Sequence, residues 1–370
     1  MINKHKHPEL DHLRVAEVES SKSYDGHEQV SYIEDQASGL KAFIAVHNTN
    51  LGPSVGGCRM YPYGSEAEAL EDVLRLSRGM TYKSAVAGLP MGGGKAVIIG
   101  DPHADKTPAL FKAMAEFVDQ HQGLYVAAED SGTAVADMQL MSESTEHVLG
   151  HEKDSKYGGD PSPFTAQGVF YAMQSAARYH WGSSDLSGVK VAIQGVGSVG
   201  FNLCRDLLEA GAQVVVADTH QNALRKAESI GASSVPIDEI HRVPADIFSP
   251  CAMGAILNDS SIPELSATII AGGANNQLAN HYHARILRKR GILYAPDFVA
   301  NAGGIIDVYR QFKSATTREV ERKIVAIDST LSEIFELSDE RDLDTQTIAE
   351  QFAEKRFKKQ SADNGKSQAA

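Results

Sequence analysis

The sequence predicts a two-domain α/β protein whose second half is a doubly wound parallel sheet. Three observations carry this. The chain has 370 residues, more than one core usually holds, and its 42% apolar content suffices for two cores. A strand, a glycine-rich turn, a helix, a second strand and an acid follow one another between Val189 and Asp218. Residues 148–163 (VLGHEKDSKYGGDPSP) change character, rich in Gly, Pro, Ser and charge. A boundary placed there gives domains of residues 1–148 and 149–335.

Bulk composition excludes several classes. A net charge of −13 repels nucleic acid and anionic lipid, so neither is expected as a partner. No stretch approaches the roughly 20 apolar residues of a membrane span. The polar segment Met1–Leu13 lacks the apolar core of a signal peptide. Cys58, Cys204 and Cys251 are scattered, which implies no disulfide framework. A reduced, cytoplasmic setting is therefore expected. His281 and His283 have no metal-ligand spacing and read as surface residues; no metal is expected.

The first half begins with a leader, residues 1–20, expected to hold a short helix. Gln29–Tyr32 and Leu40–His47 read as β-strands. Leu51–Gly57 reads as a glycine-punctuated loop. Ser65 and Glu68 form a capping box, and Leu70, Val73, Leu74 and Ser77 carry a helix to about Gly79. The stretch Gly79–Lys95 then places Lys83 and Lys95 on either side of an apolar bridge. The triplet Gly92–Gly94 is read as a close approach to a ligand, with amide N–H groups turned to an anion. Two ammonium groups converging there suggest one that holds an anion and one that does chemistry. Burial beside a second cation lowers a lysine's pKa and makes it a neutral base. The alternative is two surface lysines and a tight turn. Thr107-Pro108 caps a helix carrying Leu110, Met114, Phe117 and Val118. A strand over Leu124–Ala128 ends in Glu129-Asp130-Ser-Gly132, an acid at a strand mouth.

In the second half, Gly195-Val-Gly197-Ser198-Val199-Gly200 stands between the strand Val189–Ile193 and a helix through Leu203 and Leu207. In that context it is a dinucleotide fingerprint: tight turn, close pyrophosphate approach, helix N-terminus. Asp218 ends the next strand, Gln213–Ala217. It would accept from ribose hydroxyls and repel a 2′-phosphate, so NAD is favoured over NADP. Ala245–Phe248, Thr268–Ala271 and Gly291–Tyr294 read as further strands. The loops Ser249–Gly254, with Cys251 and Ala252, and Ala271–Gln277, with Asn275 and Asn276, follow strands and fit a nicotinamide-ribose site. Asn275-Asn276 also reads as a turn-forming pair. Cys251 has no helper histidine and reads as a small packed residue rather than a nucleophile. Thr165 opens the helix Ala166–Arg178 as a cap or first-turn residue within reach of the cofactor's carboxamide. Asp297–Val308 combines a glycine turn with a helix start; it is either a structural turn or a wall of the substrate pocket. Helices Arg318–Leu337 and Thr345–Lys358 end the chain, and Lys359–Ala370 is expected to fray.

These residues resemble the superfamily of glutamate, leucine, phenylalanine and valine dehydrogenases, most closely its leucine/phenylalanine/valine branch, with parts similar to tryptophan dehydrogenase. The resemblance covers about residues 28–360. Its most specific motifs are Gly56-Gly-Cys-Arg-Met, Arg78-Gly-Met-Thr-Tyr-Lys83, Pro90-Met-Gly-Gly-Gly-Lys95, Glu129-Asp130, the fingerprint, Ala274-Asn-Asn-Gln-Leu278 and Asn301-Ala-Gly-Gly304. It implies an N-terminal substrate and oligomerisation domain and a Rossmann NAD-binding domain with a cleft between them. Helices in 336–370 would pack back on the first domain or a partner subunit. The protein would be a homo-oligomer, dimer or octamer. Lys83 would bind the substrate α-carboxylate with the backbone near Gly56 and Gly57. Lys95 would activate the water that attacks an iminium carbon, and Asp130 would shuttle protons to the amino nitrogen. Asn276, or else Asn275, would sit near the amino group and nicotinamide. The reaction would be oxidative deamination with NAD, giving a 2-oxo acid and ammonium.

Glutamate dehydrogenases carry a lysine just before the Gly-Gly pair, where Val55 stands here. A second carboxylate would be buried unpaired, at a cost of roughly several kcal/mol. With Met80, Ala128, Ile305 and Val308 completing an apolar pocket by resemblance, a hydrophobic amino acid is expected. Branched aliphatic side chains come first; phenylalanine and tryptophan stay open. A catalytically silent NAD-binding oligomer would lack one of Lys83, Lys95 and Asp130, and all are present. A hydroxy-acid dehydrogenase would need a His–acid pair, and none stands out.

Overall fold

The structure is a computed structural model and describes residues 12–150, 160–252 and 254–367. These form two compact units. One holds the described residues up to Asp160 with Gln311–Ser314 and those from Glu354 on. The other holds Pro161–Arg310 and Ala315–Ala353. Most of the linker-like stretch, 151–159, lies outside the described residues. Among the described residues, no helix is long and apolar enough to cross a membrane.

In the first unit, β1 (Gln29–Asp35), β2 (Leu40–Asn48), β3 (Ser54–Tyr61), β4 (Gly92–Ile99) and β5 (Tyr125–Glu129) form one sheet in the order β1-β2-β4-β3-β5. The β1–β2 and β2–β4 pairs are antiparallel; β3 pairs in parallel with β4 and β5. Period-two alternation splits the side chains between two cores. Ile44, Cys58, Met60, Ala96, Ile98, Tyr125 and Ala127 join one core with α3 (Pro108–Asp119) and α4 (Val135–Ser142). Phe43, Ala45 and Val97 join the other, with α1 (His12–Ser20) and α2 (Glu66–Val86). The same parity puts Val55, Gly57, Arg59, Lys95 and Ala128 on the α2 face.

Several sequence expectations are corrected here. Val55–Gly57 is not loop but strand, with Val55 paired to Gly93 and Val126. The glycine triplet likewise lies in β4, and its glycines serve packing. A Cβ on Gly93 would sit 2.0 Å from the Thr81 backbone nitrogen, so its absence lets α2 lie directly on the strand. The helix also runs to Val86 rather than stopping near Gly79. Tyr82, Ala85 and Val86 are buried, and their burial outweighs the roughly 1 kcal/mol that an internal glycine costs. Ser65 caps its N-terminus, accepting from Glu68 N at 3.2 Å, but the expected box does not close on Ser65: the Glu68 carboxylate accepts from Gly64 N at 2.9 Å. Thr107 caps α3 in the same way.

In the second unit, β6 (Lys190–Gln194), β7 (Gln213–Ala217), β8 (Ser233–Ser234), β9 (Ile247–Pro250), β10 (Ile269–Ile270) and β11 (Leu293–Tyr294) form a sheet ordered β11-β10-β9-β6-β7-β8, parallel throughout. The strand order reverses between β6 and β9, the point where ligands bind in doubly wound folds. Helices α5 (Ser162–Trp181), α6 (Ser198–Glu209), α7 (Gln221–Ser229) and α8 (Tyr282–Lys289) connect or cover it. They are followed by α9 (Asp297–Ala300), α10 (Gly303–Lys313), α11 (Thr317–Arg341) and α12 (Thr345–Ser367).

Helix α11 packs on α5 within this unit, through Ser175 to Asp328 O, Arg178 to Asp328 and Tyr179 against Phe335. The segment 336–341 thus belongs to the second unit. From Glu354 on, α12 lies in the first: Tyr82 donates to Glu354, and Arg356 donates to the Ala85 and Val86 carbonyls at 2.8 Å, closing the end of α2. The helix continues to Ser367 where fraying was expected. His283, read as a surface residue, is buried with Nε2 3.1 Å from Asp259.

Gly93→Val should cost about 3 kcal/mol or more, because the added atoms meet α2 backbone that cannot move aside. Gly79→Ala in the same stretch should gain roughly 1 kcal/mol, since among the described residues nothing lies within 4 Å of the added methyl. Denaturant melts of both variants check the pair; equal stabilities would refute the packing account.

Candidate active site

Lys95 sits in mid-strand on the α2 face, only 6% exposed. Its Nζ meets the Asp130 carboxylate, which follows β5. Burial first, then the Arg59 and Lys83 cations, bring the Lys95 pKa down to about 7. Asp130 in direct contact lets the two groups share a proton. The carboxylate is fixed by its turn: Ser131 N donates to Oδ1, Thr133 N donates to the Asp130 carbonyl at 2.9 Å, and Thr133 Oγ1 accepts from Asp130 N at 3.0 Å. Gly57 clears the space, since a Cβ there would sit 2.6 Å from Asp130 Oδ2. Lys83 and Met80 lie half-buried in the last turns of α2, while Val55, Gly56 and Ala128 are buried in β3 and β5.

Sequence reasoning gave no role to Arg59, yet it adjoins this centre. Its Nη1 donates to Asp72 Oδ2 at 2.8 Å and its Nη2 stands 3.8 Å from Asp130 Oδ1. Tyr63 donates to the same Asp72 oxygen at 2.7 Å. The available signal was strand parity: Arg59 stands two residues past Gly57 and shares its face.

The second unit brings the fingerprint and both small-residue loops together at the β6/β9 reversal. A Cβ on Gly195 would meet Ala252 at 2.6 Å, and one on Gly273 would meet Val199 at 2.7 Å. Cys251 N donates to Gln194 O at 2.7 Å. Burial raises the Cys251 thiol pKa, which suits a packed residue and not a nucleophile. Gly197 is the N-cap of α6, makes no side-chain cap bond, and among the described residues has open space where a Cβ would stand. A bare helix N-terminus of this kind fits a pyrophosphate. Asp218 is raised by burial, but N–H donors from His220 and Val196, both at 2.8 Å, hold it below the usual range and ionised. That fits an acceptor for ribose hydroxyls. Asn276 is exposed at φ 53°, turned outward from a loop that Gln277 and Asn301 fasten. Thr165 lies in the first turn of α5, donating to Pro161 O at 3.1 Å. Ile305 and Val308 lie in α10; Ile305 is buried and Val308 half-buried. Among the described residues, no group of acids, histidines or cysteines could hold a metal.

A dinucleotide cradle in one unit and a buried lysine lowered toward neutrality in the other belong to an NAD(P)-dependent amino-acid dehydrogenase. The chain is a member of the Glu/Leu/Phe/Val dehydrogenase family: residues 27–147 match its dimerisation domain, and residues 160–236 and 219–365 match its Glutamate/Leucine/Phenylalanine/Valine dehydrogenase model. It is 46% identical to a leucine dehydrogenase of Geobacillus stearothermophilus, over 91% of this chain and 92% of that one. It is 48% identical to a phenylalanine dehydrogenase of Lysinibacillus sphaericus, over 84% and 83%. The crystal structure of L-tryptophan dehydrogenase from Nostoc punctiforme matches with a TM-score of 0.80 at 42% identity, over 91% and 97%.

A lysine whose pKa falls on folding leaves the unfolded chain binding more protons above about pH 7, so stability rises with pH there. Between pH 7 and 8.5 the native protein should gain up to about 1.4 kcal/mol per pH unit relative to Lys95→Met. Denaturant melts across that range test it; parallel pH profiles would place the Lys95 proton elsewhere.

Proposed function

We propose that the protein catalyses the reversible, NAD-dependent oxidative deamination of a hydrophobic L-amino acid, leucine and its branched relatives first, to the 2-oxo acid and ammonium. The observation that carries the chemistry is Lys95, buried against Asp130 with a pKa near 7. Lys83 holds the substrate α-carboxylate with the Gly56 and Gly57 backbone. When bound, the dinucleotide accepts the α-hydrogen with its electron pair. Neutral Lys95 takes a proton from the water that adds to the resulting substrate iminium carbon. Asp130 takes a proton from the substrate ammonium before the α-hydrogen leaves and returns it to the amino nitrogen of the carbinolamine. Ammonia departs as the C–N bond breaks, the ionised Asp130 takes the hydroxyl proton as the carbonyl forms, and ammonia is protonated in solution. Gly195, Gly197, Ser198, Val199, Gly200 and Asp218 hold the adenosine half of the cofactor, and Thr165, Cys251, Ala252, Asn275 and Asn276 the nicotinamide half. Asp218, kept ionised, favours NAD over NADP.

Substrate choice rests on Val55, with Met80, Ala128, Ile305 and Val308. An aliphatic wall gives a second carboxylate no partner, and the similarity to leucine dehydrogenases points the same way. Aromatic amino acids form the second reading, favoured by the 48% identity to a phenylalanine dehydrogenase. A homo-oligomer, dimer or octamer, is proposed from the dimerisation-domain match.

The purified protein should reduce NAD, followed by the absorbance of the reduced cofactor, with leucine, valine or isoleucine. It should do so far less with glutamate, and far less with NADP in place of NAD. Activity with glutamate would remove the argument from Val55. The kcat/KM for deamination should fall about tenfold per pH unit below about pH 7, as Lys95 takes up its proton. Lys95→Ala should lose at least roughly a hundredfold in kcat while still binding the reduced cofactor; wild-type turnover in that variant would end the assignment of the base.

A further inference from the structure

We propose that Arg59 is a positioning residue, holding the Asp130 carboxylate in place against Lys95 while Asp72 and Tyr63 hold Arg59. The inference rests on the reading of Lys95 and Asp130 as the proton-transfer pair.

The geometry is that of a bridge. Arg59 rises from β3 on the α2 face and spans two carboxylates. Nη1 donates to Asp72 Oδ2 at 2.8 Å, and Nη2 stands 3.8 Å from Asp130 Oδ1. The other Asp130 oxygen meets Lys95. Asp130 therefore lies between two cations, one to each oxygen. Asp72 is anchored in turn by Tyr63 at 2.7 Å and by Arg75 at 2.6 Å. Arg59 is mostly buried, with its side chain 23% exposed, so its charge acts through little water.

The facing groups can be named element by element. Lys95 comes from β4, Cys58 and Arg59 from β3, Asp72, Arg75 and Lys83 from α2, and Asp130 from the turn after β5. Cys58 stays a neutral thiol, its pKa pushed up to about 12 by burial. Asp137, which also raises Cys58, is paired with Lys106. Arg75 pairs with Asp72 on the far side from Arg59.

Arginine is required for this because its planar fork engages two carboxylates at once, whereas an ammonium is a single point charge. Charge and geometry can therefore be separated by substitution. Arg59→Lys keeps the cation and loses the fork. Arg59→Met loses both. Asp72→Asn leaves Arg59 in place and loosens its anchor.

The test measures steady-state deamination of leucine by the full-length protein across pH, with melting temperature and binding of the reduced cofactor as folding controls. Arg59→Lys should lose roughly tenfold or more in kcat with little change in KM and with its acidic limb in place. Arg59→Met should lose at least as much, and its acidic limb should move up by roughly half a pH unit or more, because a cation that lowers Lys95 is gone. Asp72→Asn should fall between wild type and Arg59→Lys in kcat. A rise in KM at unchanged kcat would make Arg59 a substrate-binding group and overturn the proposal. Wild-type kinetics in Arg59→Lys would overturn it as well. If Arg59→Met does not fold, Arg59→Lys and Asp72→Asn still decide, since neither removes the cation. Failure of the underlying reading looks different: wild type itself would be inactive with every hydrophobic amino acid offered.

Discussion

Burying the Lys95 ammonium is unfavourable unless nearby charge offsets the loss of water, and the first unit is arranged around that problem. The offset comes from Asp130, delivered by the turn that follows β5 and admitted only because Gly57 has no side chain. Two further cations, Arg59 and Lys83, stand close enough to tip the balance back toward the neutral amine. The group is thus poised: a carboxylate in contact favours the proton, while burial and like charge disfavour it. A base near neutral pH emerges from terms that nearly cancel. Each term is set by a different element, so the poise needs β3, β4, β5 and α2 to be in register together.

Register is where the glycines matter. A strand packed under a helix usually keeps side chains between them. At Gly93 that spacer is missing, and the α2 backbone descends onto β4 next to Thr81. Lowering the helix brings Lys83, two residues on, toward the lysine two residues past Gly93. The triplet is thus a structural device with a chemical consequence. The α12 segment from Glu354 on reinforces the same helix end, with Arg356 satisfying carbonyls that α2 leaves open.

Much of this was legible in the chain. The fingerprint with its flanking strands and Asp218 identifies the second sheet, because phosphate binding demands small residues in a fixed context. The caps at Ser65 and Thr107 were legible because their side chains act locally. Lys83, Lys95 and Asp130 were legible only as motif members; their meeting depends on strand pairing, which is not local. The errors share one cause. Gly56 and Gly57 read as loop, and Gly92–Gly94 as a ligand approach or a tight turn, because glycine is intrinsically a poor strand former, yet here tertiary approach decides. Arg59 stayed silent because an arginine in a strand reads as solvent-facing until its carboxylate partners are placed. His283 misled for a similar reason: its burial is set by an Asp259 contact 24 residues away in sequence.

The division of labour also explains how one scaffold serves different amino acids. In the proposed reaction the charged groups act on the α-carbon, its amine and its carboxylate, which every amino acid shares. They need not change when the side chain does. Val55 can therefore be varied while Lys95, Asp130 and Arg59 stay fixed, although Val55, Lys95 and Arg59 lie on one face of one sheet and Asp130 in the turn that follows it. Val55, the second residue of β3, is paired to Gly93 and Val126, so exchanging its side chain leaves the ladder bonds intact. Discrimination by such a wall is asymmetric. Added methylenes change binding by only roughly 1–3 kcal/mol, whereas an unpaired carboxylate is penalised far more heavily. Rejection of acidic side chains should accordingly be a firmer property of this protein than any ranking among leucine, isoleucine and phenylalanine, because the first follows from chemistry at one residue and the second from small differences in shape spread over several.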